Sequence, residues 1–136
     1  MTLCLCLDDR NGLRFHDRRQ SRDRTVYERI VSLAAENGGK IWVSRDSEKL
    51  FPNGTVSVAE SAESLSDAAE RDIVFSESTS FLPPKEKIGR LIVYRWNRLY
   101  PSDCRFSPEE YGLSVCERQD FVGFSHEKIT EEIYMK

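Results

Sequence analysis

The chain has 136 residues, of which 39% are hydrophobic and 32% are charged, and its formal net charge is -3. This length is typical of one domain and is enough to bury a core without disulfides or metal ions. The small negative charge excludes a general electrostatic attraction to nucleic acids or membranes. No segment reaches the ~20 apolar residues that a membrane span needs. We therefore expect one cytoplasmic domain over residues 1–136.

The cysteines also favour a cytoplasmic protein. Cys4 and Cys6 are two positions apart in a strand-like segment, so their side chains are expected to share one face as buried, reduced thiols. Cys104 and Cys116 lie far apart in the second half of the chain. Because no Cys-x-x-Cys pair and no other ligand spacing is present, we expect no metal site.

An apolar run at the start predicts a central strand, and a helix follows it. Thr2–Leu7 is apolar nearly throughout, which favours burial on both faces of a sheet. A turn and then a polar loop lead from this strand to Gln20. Apolar residues recur at helical spacing through 22–36, so we expect a helix there, with Ser21 as its N-cap and Gly38 just beyond its end.

The rest of the chain alternates short strands with short helices. We expect strands at 40–44, 55–59, 72–75, 90–94, 112–122 and 126–134, and short helices at 46–51 and 61–69. Alternation of strands and helices predicts parallel pairing, whereas the last two strands are expected to form an antiparallel hairpin. The sequence thus predicts a three-layer α/β fold with a mainly parallel central sheet and an antiparallel C-terminal hairpin.

The most unusual stretch is the arginine-rich segment before the predicted helix. Arginine forks bind phosphate or carboxylate groups through two hydrogen bonds. Because Arg18 and Arg19 precede a helix start, they would add to the backbone donors there and form an anion site. The alternative is a solvated, internally paired helix start. Asp23 is a candidate acid/base or ligand-anchoring group, or a residue that stabilises the helix dipole.

Other candidates follow the predicted parallel strands, whose carboxyl ends meet at one edge of a sheet. Arg45 and Ser47 follow the second strand and would hold a phosphate or cap a helix. Glu77 follows the fourth strand and would carry acid/base chemistry, or would be an exposed turn acid. Asp8 and Asp9 follow the first strand, where two acids suit Mg²⁺ or a ligand amine but suit a turn better.

The order of these elements resembles dihydrofolate reductase over nearly the whole chain. The family has a helix with an acid in its first turn and an aromatic residue one turn later, a Gly-Arg-x-Thr turn, and an acid-x-x-Phe step. The matching residues here are Ser21-Arg22-Asp23 with Tyr27, Val43-Ser44-Arg45-Asp46-Ser47, and Asp103-Cys104-Arg105-Phe106. The resemblance implies that Asp23 contacts a pterin beside Tyr27, and that Arg45 and Ser47 hold the phosphate of NADPH.

The sequence departs from the family pattern at three places. Ser76-Glu77-Ser78 stands where the family has a glycine pair, and a carboxylate beside a pyrophosphate would repel it. The segment between Phe51 and Thr55 is too short for the family's extra strand and the Arg that holds the folate carboxylate. Arg18 and Arg19 lie where the family has a Trp nearby. These departures indicate a shortened relative and argue against folate reduction and ordinary NADPH use.

The leading hypothesis is a domain that binds a nucleotide or a pterin-like anionic small molecule. Whether the chain transfers a hydride as a divergent oxidoreductase stays open, as does its oligomeric state. One alternative is a nucleic-acid-binding protein or nuclease that uses the arginine-rich loop with Trp96 and Tyr100, although these rings also suit packing on the core. Another is a non-catalytic interaction module. Ser125-His126-Glu127 gives little support to a hydrolase triad, because no Gly-x-Ser-x-Gly elbow is present.

Overall fold

A twisted seven-stranded sheet runs through the computed structural model, which describes residues 1–136. The helices are α1 (Arg24–Asn37) and four 3₁₀ helices at Arg45–Leu50, Ala62–Asp67, Lys85–Lys87 and Pro108–Tyr111. The strands are β1 (Thr2–Leu7), β2 (Gly12–Phe15), β3 (Arg18–Arg19), β4 (Ile41–Val43), β5 (Ser57–Val58), β6 (Ile73–Phe75), β7 (Arg90–Arg95), β8 (Cys104–Arg105), β9 (Ser114–Phe121) and β10 (Ile129–Met135).

The order of strands confirms the predicted sheet. It is β5-β4-β6-β1-β7-β10-β9, with parallel pairing from β5 through β7 and antiparallel pairing from β7 to β9. The C-terminal hairpin β9–β10 therefore forms one edge of the sheet, as expected. Since β1 has parallel neighbours on both sides, it lies at the centre, which explains its unbroken apolar sequence.

The two faces of β1 belong to two separate cores. Leu3, Leu5 and Leu7 point to a cluster covered by 3₁₀ helices and loops. Cys4 and Cys6 point to the opposite cluster, which includes the buried face of α1. Both thiols are buried and reduced, as predicted. Burial raises the pKa of each thiol far above its ordinary value, so both remain protonated.

Helix α1 begins later than its sequence pattern suggests. Asp23, and not Ser21, is the N-cap, because its carboxylate accepts the backbone N–H of Thr25 at 2.9 Å. The predicted cap at Ser21 is wrong, and its hydroxyl has a different partner described below. The C-terminal end is as expected: Gly38 adopts a left-handed conformation with φ of 66°.

The polar loop predicted between β1 and α1 is instead ordered as strands. β2 and β3 form a hairpin, and β8 pairs with the other side of β2 to complete a small second sheet. The hairpin turn lies at His16 and Asp17, which both have positive φ values. Neither residue is a glycine, so the sequence lacked the usual signal of a two-residue turn. The hairpin places β3, with its two arginines, over the carboxyl ends of the large sheet.

The short helices expected at 46–51 and 61–69 are present as the 3₁₀ helices Arg45–Leu50 and Ala62–Asp67. Each contributes one buried side chain, Ser47 and Leu65 respectively. Short segments with so few buried residues gain little from a longer α-helix, which explains the tighter form.

Gly39 is predicted to be essential for the packing of the turn after α1. A Cβ atom at this position would overlap the carbonyl oxygen of Arg71 and lie 2.7 Å from its carbonyl carbon. Gly39→Ala should therefore lower the free energy of unfolding by about 2 kcal/mol, measured in urea. Gly89→Ala is the matched control, because no atom lies within 4 Å of the added Cβ. Equal stability of the two variants would contradict this packing.

Candidate functional site

The carboxyl ends of three neighbouring parallel strands bring together the segments that follow them. β1 leads into the β2–β3 hairpin, β4 leads into the 3₁₀ helix Arg45–Leu50, and β6 leads into Ser76 and Glu77. Because β4, β6 and β1 are adjacent in the sheet, these segments meet at one edge. Arg19, Ser47 and Glu77 come into contact there.

Arg19 and Glu77 form a bidentate ion pair. Nε of Arg19 lies 2.9 Å from Oε2 of Glu77, and Nη2 of Arg19 lies 3.0 Å from Oε1. The hydroxyl of Ser47 donates to the same Oε1 at 2.7 Å. Glu77 is only 8% exposed, so the interpretation as an exposed turn acid is wrong. Its hydrogen bond with Glu77 is the main reason that the pKa of Arg19 is raised above its ordinary value.

The chain's own carboxylate thus occupies the anion site formed by Arg19 and Ser47. Arg19 is held further by a hydrogen bond from Nη2 to the carbonyl oxygen of Asp46 at 2.8 Å. Breaking a well-formed, largely buried ion pair is costly because each charge is left without its partner. An external anion must therefore displace Glu77 from Arg19 or bind beside this cluster.

An open cavity of about 640 Å³ lies next to the Arg19–Glu77 pair. Arg18 lines it with an exposed side chain that takes part in no ion pair, and Arg19 forms its boundary with the Glu77 cluster. We call it the Arg18 cavity. Its lining residues are Phe15, His16, Arg18, Arg19, Gln20, Tyr100 and Pro101.

Gln20 lines the Arg18 cavity, but its Oε1 atom is buried and has no hydrogen-bond partner. Its amide nitrogen is fixed by donating to Asp8 Oδ2 at 3.0 Å and to the carbonyl oxygen of Pro101 at 3.3 Å. These two hydrogen bonds fix the orientation of the amide group, so Oε1 is an acceptor without a donor. Buried polar atoms without partners are uncommon and often mark a site for a ligand or water.

The other predicted phosphate ligand, Arg45, lies elsewhere. Its guanidinium pairs with Glu60, and both side chains are largely exposed. This hydrogen bond raises the pKa of Arg45. Arg45 does not line the Arg18 cavity.

Asp23 is buried and fully hydrogen-bonded. Besides capping α1, its carboxylate accepts the backbone N–H groups of Phe124 and Ser125 at 3.0 and 2.9 Å. It also contacts Nδ1 of His126 at 2.9 Å. Burial alone would raise the pKa of Asp23, but the two N–H donors and the imidazole outweigh it and lower the pKa to about 2. Asp23 therefore joins the start of α1 to the β9–β10 connection as a permanent carboxylate.

The side chains that continue from Asp23 were not linked to it by any pattern in the sequence. Nε2 of His126 lies 3.0 Å from the hydroxyl of Ser21, and the ring stacks on Trp96 with 4.7 Å between centroids. In the sequence, His126 was considered only together with its neighbour Glu127 as the acid. The acid in the structure, Asp23, is 103 residues away in the chain, so only tertiary contact reveals the pair.

Tyr27 has a core role in the structure. It is 4% exposed and packs against Phe51 and Phe75, with ring centroids 5.2 and 5.8 Å away. Burial raises the pKa of its phenol, so the hydroxyl stays protonated. Tyr27 also borders a second, very small cavity of about 10 Å³ that Arg19, Gln20 and Ser21 line as well.

Asp8 has the turn role expected for it. Its buried carboxylate accepts backbone N–H groups from Arg10, Gly12 and Tyr100 at 2.8, 2.7 and 3.2 Å. Burial tends to raise its pKa, but these donors outweigh burial and the net pKa is lowered. The hydrogen bond from Tyr100 to Asp8 connects the end of β1 to the loop that follows β7.

Trp96 is packed as the core interpretation predicts. It is 2% exposed and its face is covered by His126. A buried ring cannot stack on a nucleic-acid base, so Trp96 gives no support to the hypothesis of nucleic-acid binding.

Comparisons with known proteins show the fold. The structure is similar to dihydrofolate reductase from Enterococcus faecalis complexed with NADP(H) and RAB-propyl, with a TM-score of 0.66 over 98% of this chain and 94% of that chain. The two sequences are 10% identical. No protein-family model and no curated protein matches the sequence. The chain therefore has the dihydrofolate reductase-like fold that its order of elements predicts. None of its helices has the length and apolar character needed to cross a membrane.

Acid should weaken the protein through Asp23. The pKa falls from an ordinary 3.8 to about 2 on folding, so the carboxylate stabilises the fold fully above about pH 4. This contribution, roughly 2 kcal/mol, is lost as the pH falls from about 4 to 2. Urea unfolding of the natural protein and of Asp23→Asn should show a stability difference at pH 7 that shrinks towards pH 2.

Asn is the matched replacement because it still caps a helix but carries no charge. A stability difference that is the same at pH 7 and pH 2 would contradict the lowered pKa of Asp23.

Proposed function

We propose that this protein binds an anionic small molecule with a flat aromatic group, of the nucleotide or pterin class, in the Arg18 cavity. The observation that carries the proposal is the exposed, unpaired guanidinium of Arg18 beside the aromatic side chains of Phe15 and Tyr100. A guanidinium recognises phosphate or carboxylate through parallel hydrogen bonds. An aromatic face beside it suits a stacked heterocycle.

The size of the cavity supports this class of ligand. A volume of about 640 Å³ is within the range of about 300–1,000 Å³ typical of small-molecule sites. The structural neighbour from Enterococcus faecalis, which is complexed with NADP(H), shares the fold on which this cavity is built.

The position of Glu77 determines where the negative charge of the ligand lies. A pyrophosphate at Arg19 and Ser47 would meet the carboxylate of Glu77, and two like charges at this distance repel strongly in a partly buried site. Arg18 has no such competitor. The anionic group of the ligand is therefore placed at Arg18, with the Glu77 carboxylate keeping Arg19 occupied.

Proton-assisted reduction has weaker support than binding. Asp23 is 1% exposed, accepts several hydrogen bonds and stays ionised down to about pH 2. It therefore has no proton to donate to a ligand at neutral pH. The geometry supports a binding domain in which Asp23 holds the start of α1 against the β9–β10 connection.

Removing the Arg18 guanidinium should weaken binding. We expect Arg18→Ala to raise the Kd for NADPH, ATP or folate, whichever of them binds, by about tenfold or more, since a hydrogen bond to a charged group contributes about 1.5–3 kcal/mol. Kd is measured from the quenching of tryptophan fluorescence, and the shift in Tm checks it. Arg45→Ala is the matched control, because Arg45 is exposed and pairs with Glu60 outside the cavity. The proposal fails if none of the three ligands shifts Tm, or if both variants bind alike.

Removing the charge of Glu77 should strengthen binding. Glu77→Gln retains a side-chain oxygen for Ser47 and Arg19 but ends the competition for Arg19. We expect at least about a tenfold lower Kd for a ligand that carries a pyrophosphate, because like-charge repulsion in such a site amounts to a few kcal/mol. An unchanged or higher Kd in a variant that melts cooperatively would show that Glu77 does not oppose the ligand.

A further inference from the structure

Ser21, His126 and Asp23 form a continuous chain of hydrogen bonds beside the Arg18 cavity. The hydroxyl of Ser21 lies 3.0 Å from Nε2 of His126, and Nδ1 of the same ring lies 2.9 Å from Oδ2 of Asp23. This is the order of nucleophile, base and orienting acid found in serine hydrolases on unrelated folds. Such a site is recognised by its geometry and not by the spacing of its residues in the sequence.

The protonation of this chain follows from its partners. Asp23 is ionised and can only accept, so Nδ1 of His126 carries the proton. In the neutral ring, Nε2 then has a free lone pair directed at Ser21. The hydroxyl of Ser21 donates to it, which is the arrangement that allows the imidazole to take the hydroxyl proton.

The imidazole is held firmly in this orientation. His126 is 8% exposed, and the indole of Trp96 stacks on it with 24° between the ring planes. Its backbone oxygen accepts the N–H of Gly123 at 2.9 Å, which closes the β9–β10 connection around it. A base fixed by packing and by a carboxylate loses little entropy in the reaction.

Ser21 itself is accessible, unlike its partners. It is partly exposed in the segment between β3 and α1 and lines the small cavity of about 10 Å³ with Arg19 and Gln20. The backbone N–H of the next residue, Arg22, donates to no atom of the chain. The N–H that follows a nucleophilic serine commonly stabilises the oxyanion, so a donor of this kind is available.

We propose that Ser21 is the nucleophile of an acyl-ester hydrolase site, with His126 as its base and Asp23 as the positioning residue. Oγ of Ser21 attacks the carbonyl carbon while Nε2 of His126 takes its proton. The bond from the carbonyl carbon to the alcohol oxygen breaks, and the alcohol leaves with that proton. Water then attacks the acyl-serine, gives one proton to Nε2, and releases the carboxylic acid as Ser21 regains its hydrogen.

The two cavities indicate the substrate class. The enclosed space at Ser21 holds only about one water molecule, so the acyl group must be very short, such as an acetyl group, and must lie on the exposed side of Ser21. Arg19 and Gln20 line both cavities, which places the alcohol part of the ester in the Arg18 cavity. This part of the inference rests on the proposed function and implies an aromatic alcohol that carries a negative charge. The nucleophilic role of Ser21 does not depend on it.

The first experiment tests the nucleophile alone. The full chain is treated with a fluorophosphonate, which needs no anion site, and the adduct is located by mass spectrometry of its peptides. We expect one adduct, on Ser21 and not on Ser125, whose hydroxyl lies on the Nδ1 side of the ring at 3.3 Å. Ser21→Ala should not be labelled, whereas Ser66→Ala, at a surface serine, should be labelled as before. No adduct on Ser21 in the folded protein overturns the proposal.

The second experiment measures hydrolysis of acetylsalicylate and of neutral phenyl acetate. We expect His126→Gln to lower kcat by about 10²–10⁴-fold for both esters, the usual contribution of a general base. Arg18→Ala should raise KM about tenfold for acetylsalicylate only. If both esters are hydrolysed and Arg18→Ala leaves both KM values unchanged, the anionic substrate class is wrong and Ser21 remains the nucleophile. Hydrolysis that persists in Ser21→Ala overturns the whole inference.

Discussion

The buried carboxylate of Asp23 is the interaction on which the arrangement of the site depends. It caps α1, receives two backbone N–H groups from the β9–β10 connection, and orients the ring of His126. A charge removed from water is stable only when several donors surround it. Since these donors come from residues about 100 positions later in the chain, Asp23 can be satisfied only when the first helix and the last hairpin have docked. The position of Ser21 beside the cavity follows from that docking.

The second constraint is an anion site that the chain fills with its own side chain. Arg19 and Ser47 carry donors that suit a phosphate, yet they hold Glu77. A carboxylate in this position neutralises Arg19 and stabilises the closure of the β2–β3 hairpin over the sheet. It also leaves Arg18 as the guanidinium available to a ligand. The fold is thus retained while the charge pattern of its cleft differs from that implied by the family resemblance.

Much of the architecture followed from local patterns. The apolar run of Thr2–Leu7 predicted a central strand, and strand–helix alternation predicted the parallel sheet, since both depend on which faces of an element are buried. The hairpin of β2 and β3 was missed because its turn at His16 and Asp17 uses positive φ without glycine. The N-cap was wrongly predicted at Ser21 because Ser21 and Asp23 are both suitable capping residues. In the structure Asp23 caps the helix, whereas the hydroxyl of Ser21 is bonded to the imidazole of His126, which is far away in the sequence.

Composition and short spacing were enough to show which residues are apolar, where most strands of the large sheet lie and that arginines cluster before α1. The sequence also placed Ser47 and Glu77 near one edge, because parallel strands end together. The folded chain was needed to show that Glu77 pairs with Arg19, that Arg45 pairs with Glu60, and that His126 joins Asp23 to Ser21. Pairing of charges depends on distances between side chains far apart in the chain, which no local pattern encodes.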